Sequence, residues 1–236
     1  MLGVEANESE LRERLTAILC ATPPLMRVLS VARHLCLPDW LVFSGAVYQP
    51  VLNQLTGHPL DCGIKDYDLG YFDASDLSYD AEDAVIRRVK AAFDEPLRSM
   101  VEVRNQARVH LWFEAKFGEP YGPLSSTAKA LERFASATFA VGVRLESDDR
   151  LYIEAPFGLT DLFALRLRLN PRRTKSASPG LLRMCDAAGL KSSLRTSHVS
   201  LAEPLLPPNS EHAERKLVYG LAWPKRCDRG DRHGTA

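Results

Sequence analysis

The sequence lacks the features that mark several large classes of protein. It has no run of about 18 apolar residues, so no membrane-spanning helix is expected. Its first residues, MLGVEANESELRERL, carry acidic side chains and no apolar core, so we do not expect a secretory signal peptide. It contains neither a GxxxxGK[ST] loop nor a Gly-x-Ser-x-Gly elbow, which leaves a P-loop nucleotide hydrolase and a serine esterase unsupported.

Cysteine pairs and an excess of charge are also missing. The five cysteines form no CxxC pair and no Cys/His metal spacing, which predicts reduced thiols in a cytoplasmic protein. The 30 basic and 30 acidic side chains balance, which argues against a broad nucleic-acid surface but leaves room for a local basic patch. A chain of 236 residues predicts one medium domain, or one domain with an appendage.

A strand, a glycine turn and a helix are predicted in succession near residue 45. WLVF, at 40–43, is a short apolar run that ends at Ser44 and Gly45, which predicts a buried strand followed by a sharp turn. AVYQPVLNQLTG then resumes a helical pattern, and Gly57 is its predicted end. Such a junction directs free backbone N–H groups and the positive end of a helix towards an anion.

Two aspartates lie on the next predicted strand, within IKDYDLGYFD. Asp66 and Asp68 occupy positions i and i+2, so they project from the same face with α-carbons roughly 6–7 Å apart. Their oxygens can converge on Mg²⁺, or Mn²⁺, which prefers oxygen ligands and keeps waters and substrate phosphates in its shell. Glu102, between two valines on a short predicted strand, is the best third carboxylate for a two-metal clamp. Asp73 falls on the opposite face and is interpreted as a strand-end turn acid.

The segment NQARVH lies between a predicted strand and a predicted helix. Arg108 in this segment either neutralises a phosphate with its planar guanidinium or forms a surface salt bridge, and the sequence leaves both alternatives open. Asn105 is predicted to cap the helix QARVHLWFEAKFG, which Gly118 ends.

A second region begins near residue 119. ATFAVGVRLE and RLYIEAP flank Ser-Asp-Asp and predict a hairpin, and GLTDLFALRLRLNP predicts a helix. The run RLRLNPRR is either a basic rim for a nucleotide or polynucleotide acceptor or a solvated helix face. The predicted organisation is a core at 1–118, a second lobe at 119–171 and an irregular tail at 172–236.

The order of these motifs resembles the nucleotidyltransferase superfamily, which has the fold of DNA polymerase β. Four segments resemble more closely a bacterial nucleotidyltransferase-like family formerly classed as of unknown function. They are SGAVYQPVLNQLTGHP, DYDLGYFD, VEVRNQARVHLWFEAKFG and EAPFGLTDLFALRLRLNP. This resemblance covers about residues 25–173. It implies an α/β (α+β) fold: a small mixed β-sheet with flanking helices, plus a C-terminal lobe.

The resemblance also implies an activity. It implies Mg-dependent transfer of a nucleoside monophosphate from an NTP to an unidentified acceptor, which is a small molecule, an RNA or a protein. Asp66, Asp68 and Glu102 would bind the metal ions, and Gly45 with Ala46 would meet the phosphates. The superfamily usually has Gly or Ser where this chain has Ala46, so a hydroxyl contact to phosphate is missing there.

Two alternatives stay open at this point. One is a non-catalytic nucleotide-binding or protein-interaction module on the same fold, for which the alanine at position 46 and the irregular tail leave room. The other is a phosphodiesterase that uses the same metal clamp with water as the acceptor. We expect no membrane partner in either case.

Overall fold

The computed structural model describes residues 7–172 and 191–192. The helices are α1 (Glu8–Cys20), α2 (Pro23–His34), α3 (Gly45–Thr56), α4 (Tyr79–Ala91), α5 (Leu97–Met100), α6 (Phe113–Phe117), α7 (Ala128–Leu131) and α8 (Thr160–Phe163), with a 3₁₀ turn at Val109–Leu111. The strands are β1 (Leu41–Phe43), β2 (Tyr67–Tyr71), β3 (Val101–Asn105), β4 (Gly142–Leu145), β5 (Leu151–Glu154), β6 (Arg166–Leu167) and β7 (Lys191–Ser192).

The first five strands form one mixed sheet in the order β3-β2-β1-β4-β5. The β2 and β3 strands run parallel, and the other neighbours run antiparallel. The predicted hairpin is β4 and β5, and it extends the sheet that β1, β2 and β3 begin. The mixed α/β architecture with flanking helices is therefore confirmed.

The two faces of this sheet have different chemistry because side chains alternate along each strand. One face is a continuous apolar layer in which Val42, Leu69 and Val143 are buried neighbours, and the N-terminal helices pack against it. On the other face, Phe43 lies between Asp68 and Gly142. That second face carries the polar side chains of β2 and β3, which include Asp68 and Glu102. The candidate site residues of these two strands therefore lie on that face.

A smaller apolar cluster covers part of the polar face. Phe43 packs edge-on against Phe134, with ring centroids 5.8 Å apart and an interplanar angle of 85°. Leu41 and Leu131 belong to the same cluster. The segment around α7 thus shields one side of this face, and the part that carries the β2 and β3 carboxylates lies beside it.

Helix starts follow local capping chemistry. Asn7 caps α1: its side chain accepts from the Glu10 N–H, and the Glu10 carboxylate accepts from the Asn7 N–H. This reciprocal pair satisfies two orphan donors at once. Ser78 caps α4, with its hydroxyl oxygen 3.2 Å from the Ala81 nitrogen.

Two predicted helices are wrong in extent. QARVHLWFEAKFG forms the 3₁₀ turn and the short α6, although Gly118 does end it in the left-handed conformation. GLTDLFALRLRLNP forms only one helical turn, α8, before Leu165 adopts φ 50° and the chain enters β6. RLRLNPRR is therefore not a helix face; Arg168 in this run pairs with Asp161.

Three further predictions concern membranes, thiols and the tail. No described helix is long and apolar enough to cross a membrane by itself; α1 and α2 together pass on length and composition but are bent by 94°. Cys20 and Cys36 are free, as predicted. Cys62 is disulfide-bonded, which corrects the prediction of reduced thiols at that position. The predicted tail lies outside the described residues except for positions 172, 191 and 192.

Candidate active site

Asp68 and Glu102 are direct partners on neighbouring parallel strands. Adjacent strands lie about 4.8 Å apart, so the two carboxylates leave the same face of the sheet side by side. Asp68 is only 1% exposed, and Glu102 is half-buried. The structure therefore brings together two of the three acids that the sequence singles out, at the edge of the covered part of the polar face.

Asp66 lies in the extended segment just before β2 and is 4% exposed. Within the described part of the chain, no group of three His, Cys, Asp or Glu side chains is arranged to hold a metal ion. The structure thus places Asp66 near the start of the strand that carries Asp68, without closing a three-carboxylate cluster. The three-acid metal site stays a prediction.

The segment that leads into Asp66 is anchored from α3. Gly57 ends this helix with φ 74°, as predicted. The Asn53 amide then donates to the Leu60 carbonyl at 2.9 Å and to the Cys62 carbonyl at 2.8 Å. Gln49 in turn donates to Asn53, also at 2.9 Å. A buried amide pair on α3 therefore sets the path of the loop before β2.

Ser44 forms the junction between β1 and α3. Its φ of 63° and ψ of −144° lie in a region that is almost restricted to glycine, which costs on the order of 1–3 kcal/mol. Its carbonyl accepts from the Val47 and Tyr48 N–H groups at 3.0 and 3.2 Å, which starts the helix. Its hydroxyl is buried and has no hydrogen-bond partner within the described residues. Strain and an unsatisfied hydroxyl at one residue make Ser44 a candidate for contact with a ligand.

Ser44 is a functional candidate that the sequence interpretation missed. That interpretation looked for a phosphate-binding hydroxyl at Ala46, where this chain has none. The signal was the serine immediately before Gly45, because the residue at a strand-to-helix turn lies as close to an anion as the residue after it. Gly45 and Ala46 begin α3, so their N–H groups have no carbonyl partner within the helix.

Arg108 is held away from solvent by an ion pair with Glu82. The two side chains are 11% and 7% exposed. Arg108 also donates to the Leu77 carbonyl at 2.8 Å, and Glu82 also accepts from the Asn105 N–H at 2.8 Å. These contacts match the salt-bridge alternative, although the pair is buried rather than at the surface. A phosphate contact from Arg108 stays a prediction.

Asn105 ties the ends of β2 and β3 together. Its side-chain oxygen accepts from the Asp73 and Ala107 N–H groups at 3.1 Å, and its amide donates to the Asp73 carbonyl at 2.8 Å. The predicted helix cap is therefore wrong. Asp73 is a turn acid as predicted: its carboxylate accepts from the Ser75 hydroxyl and N–H, which lowers its pKa.

Two tyrosines alternate with the carboxylate along β2. Burial raises the pKa of Tyr67 to about 12, and Asp61 adds to the effect. Burial also raises the pKa of Tyr71 to about 12, with further contributions from Glu82 and Asp73. Both side chains lie on the strand face opposite Asp68 and belong to the main apolar core.

A family model described as nucleotidyltransferase matches residues 30–185, which is more than half of the chain. This protein is a member of that nucleotidyltransferase family. A solved structure described as revealing a CCA-adding enzyme head domain has the same fold, with a TM-score of 0.59 and 22% identity over 74% of this chain and 84% of that one. No curated protein matches the chain. The predicted superfamily is confirmed, and the acids and the helix junction of this chain lie within the matched range.

Proposed function

We propose that this nucleotidyltransferase moves a nucleoside monophosphate from an NTP to an acceptor, with the help of Mg²⁺ or Mn²⁺. The observation that carries the proposal is the register of Asp68 with Glu102, beside the junction at Ser44. One strand pair offers carboxylates to a metal ion, and the next turn offers a hydroxyl and free N–H groups to phosphate. Family membership supports the reaction class.

The donor set fits a hard divalent cation. Asp68 and Glu102 present oxygen ligands from one face, and Asp66, which lies just before β2, would supply the third. Mg²⁺ needs few protein carboxylates because water and substrate phosphates fill most of its shell. Bound there, the ion would neutralise negative charge on the phosphoryl group during the transfer.

The junction fits the tail of the triphosphate. The Ser44 hydroxyl lacks any partner in the described chain, and a phosphate oxygen would supply one. The Gly45 and Ala46 N–H groups lie at the positive end of a helix, which favours an anion. The β- and γ-phosphates therefore sit at this turn, and the α-phosphorus lies nearer Asp68.

The reaction requires no covalent enzyme intermediate. The acceptor's hydroxyl or phosphate oxygen bonds to the α-phosphorus while the bond to the bridging oxygen breaks, and pyrophosphate leaves with that electron pair. Where the acceptor is a hydroxyl, Glu102 takes its proton. Positioning and charge neutralisation then carry the step.

Label transfer tests the proposal. The protein is incubated with each α-labelled NTP, Mg²⁺ or Mn²⁺ and a cell extract, and label on any acceptor is measured. We expect transfer by the native protein and its loss in Asp68→Ala. Asp80→Ala, an equal truncation at an exposed position, is expected to retain it. NTP binding without transfer would favour a nucleotide-binding module, and release of NMP without an acceptor would favour a phosphodiesterase.

A further inference from the structure

A shallow cavity, open to solvent, lies where β3 ends. Arg104, Gln106 and Arg133 contribute polar groups to its wall, and Trp112 and Tyr121 contribute aromatic rings. The cavity encloses room for only about one water molecule, so a larger ligand would lie in the part that is open to solvent. Its chemistry combines cationic and amide donors with flat apolar surfaces.

The register of the sheet places this cavity on one side of the carboxylates and the Ser44 turn on the other. Gly70 and Arg104 are partners two residues beyond Asp68 and Glu102, so Arg104 leaves the same face further along the strands. The antiparallel strand β1 runs the opposite way, so it reaches Ser44 on the far side of Asp68. The carboxylates therefore lie between the turn and the cavity.

We propose that this cavity binds the acceptor, and that the acceptor is a small molecule with a planar ring and an anionic group, a carboxylate or a phosphate. The proposal rests on the function proposed above. In phosphoryl transfer the attacking and leaving oxygens are roughly in line across the phosphorus. If pyrophosphate leaves towards Ser44, the attacking oxygen comes from the side of Arg104.

The charged side chains of the cavity fit an anion. Arg104 donates to its neighbouring carbonyl, that of Val103, at 3.0 Å, and its guanidinium has no carboxylate partner within residues 7–172. A guanidinium carries five donors, so most of them are available to a carboxylate or phosphate. Gln106 is 4% exposed and adds an amide beside it.

The aromatic side chains fit a ring. Tyr121 packs against Phe113 with ring centroids 4.3 Å apart, which keeps its orientation fixed. The guanidinium carbon of Arg133 lies 5.6 Å from the centroid of Tyr121. Trp112 is half-buried and packs against the same cluster, so it presents a rigid apolar surface. A flat ligand can stack there while its anion meets Arg104.

Binding of simple probes tests the cavity without any need for catalysis. Phenyl phosphate and benzoate are titrated into the ¹⁵N-labelled protein, with phenol and inorganic phosphate as probes that lack the charge or the ring. We expect the ring-bearing anions to shift the Trp112 indole signal saturably. Their binding should be at least tenfold weaker in Arg104→Gln and in Trp112→Leu. Arg150→Gln, which changes an exposed arginine on the β4–β5 turn, should leave the affinity unchanged. Absence of saturable binding, or binding equal in native and Arg104→Gln proteins, would overturn the proposal.

Arg133→Gln provides a second test if Arg104→Gln does not fold, because Arg133 is exposed. We expect it to weaken phenyl phosphate binding at least threefold; unchanged binding in this variant overturns the role of the cavity. Asp68→Asn is expected to leave probe binding unchanged. Loss of transfer with intact probe binding would therefore refute the proposed reaction alone.

The nucleobase of the NTP is the rival occupant. The affinities of ATP, CTP, GTP and UTP are measured with Mn²⁺ by calorimetry, and we expect Arg104→Gln and Trp112→Leu to leave the tightest of them within twofold. A loss above fivefold in both variants assigns the cavity to the base and overturns the proposal. Displacement of phenyl phosphate by a short RNA oligonucleotide, but not by 4-hydroxybenzoate, overturns the small-molecule class.

Discussion

Asp68 on β2 and Glu102 on β3 face each other across a parallel strand pair, with Phe43 of β1 on the other side of Asp68. Two like charges directly opposite on neighbouring strands are unfavourable unless something between them is positive. The chain belongs to a nucleotidyltransferase family, and we propose that a bound divalent metal ion neutralises this pair of acids.

Divalent metal is expected to stabilise the native protein through the carboxylate pair. A ligand at 100 times its dissociation constant adds about 2.7 kcal/mol to the free energy of unfolding. Saturating Mn²⁺ should raise the melting temperature of the native protein and of Asp73→Asn, but not that of Asp68→Asn or Glu102→Gln. Equal shifts in all four proteins, measured by calorimetry, would show that the ion binds elsewhere.

Two replacements of Ser44 should distinguish the effect of its backbone strain on stability from the effect of its hydroxyl on NTP binding. Ser44→Ala and Ser44→Gly both remove the buried hydroxyl, so each should weaken NTP binding by roughly tenfold or more, as expected for a lost hydrogen bond to a charged group. Glycine tolerates φ 63°, so Ser44→Gly should be more stable than Ser44→Ala by about 1 kcal/mol. Urea unfolding and NTP calorimetry measure the two effects. Ser125→Ala, at an exposed site, should change neither.

A methyl group at Gly70 should disturb the polar face. A Cβ there would lie 2.5 Å from Phe43 Cε1 and 2.8 Å from Phe43 Cζ, so the ring must move. We expect Gly70→Ala to cost about 1–3 kcal/mol of unfolding free energy, as overpacking does. Gly122→Ala is the matched control because a Cβ at Gly122 meets nothing within 4 Å. Equal stability of the two variants in urea would contradict the close approach of the Phe43 ring.

Loss of one partner of the Glu82–Arg108 ion pair should be costly. Both side chains are buried, so Arg108→Met leaves an unpaired carboxylate and should cost about 3–5 kcal/mol. Arg87→Met breaks an exposed pair with Asp83 and should cost less than about 1 kcal/mol. The double variant Glu82→Gln/Arg108→Met should recover part of the loss. A fall in NTP affinity of folded Arg108→Met beyond that of Glu82→Gln would support the phosphate contact predicted for Arg108.

Tyr71 should make stability fall at alkaline pH. Its pKa in the folded protein is about 12, above the ordinary value of 10.0, because burial and nearby carboxylates disfavour the phenolate. Below pH 10 both states keep the proton and stability is full; from pH 10 to about 12 only the unfolded state ionises, so stability is lost. Tyr71→Phe should flatten this decline, measured by urea unfolding from pH 9 to 11, whereas Tyr79→Phe, which is 66% exposed, should not.

The sequence by itself determined the elements that depend on local chemistry. Three features carry a short-range signal: the apolar run at 40–43, the glycine end of α3 and the alternation around Asp68. Each element forms where its pattern predicts it. The family resemblance is likewise confirmed because its motifs lie within the matched residues.

Only the tertiary structure decided how those elements combine. Contacts between residues far apart in sequence produce the pairing of Asp68 with Glu102 and the buried ion pair of Arg108 with Glu82. The strain at Ser44 is a feature of the backbone geometry at the junction between β1 and α3. The helix predicted in GLTDLFALRLRLNP ends at Phe163, Leu165 adopts φ 50°, and Arg166 and Leu167 then pair with β7. Local propensity amounts to a few tenths of a kcal/mol per residue, so packing and strand pairing override it wherever the two disagree.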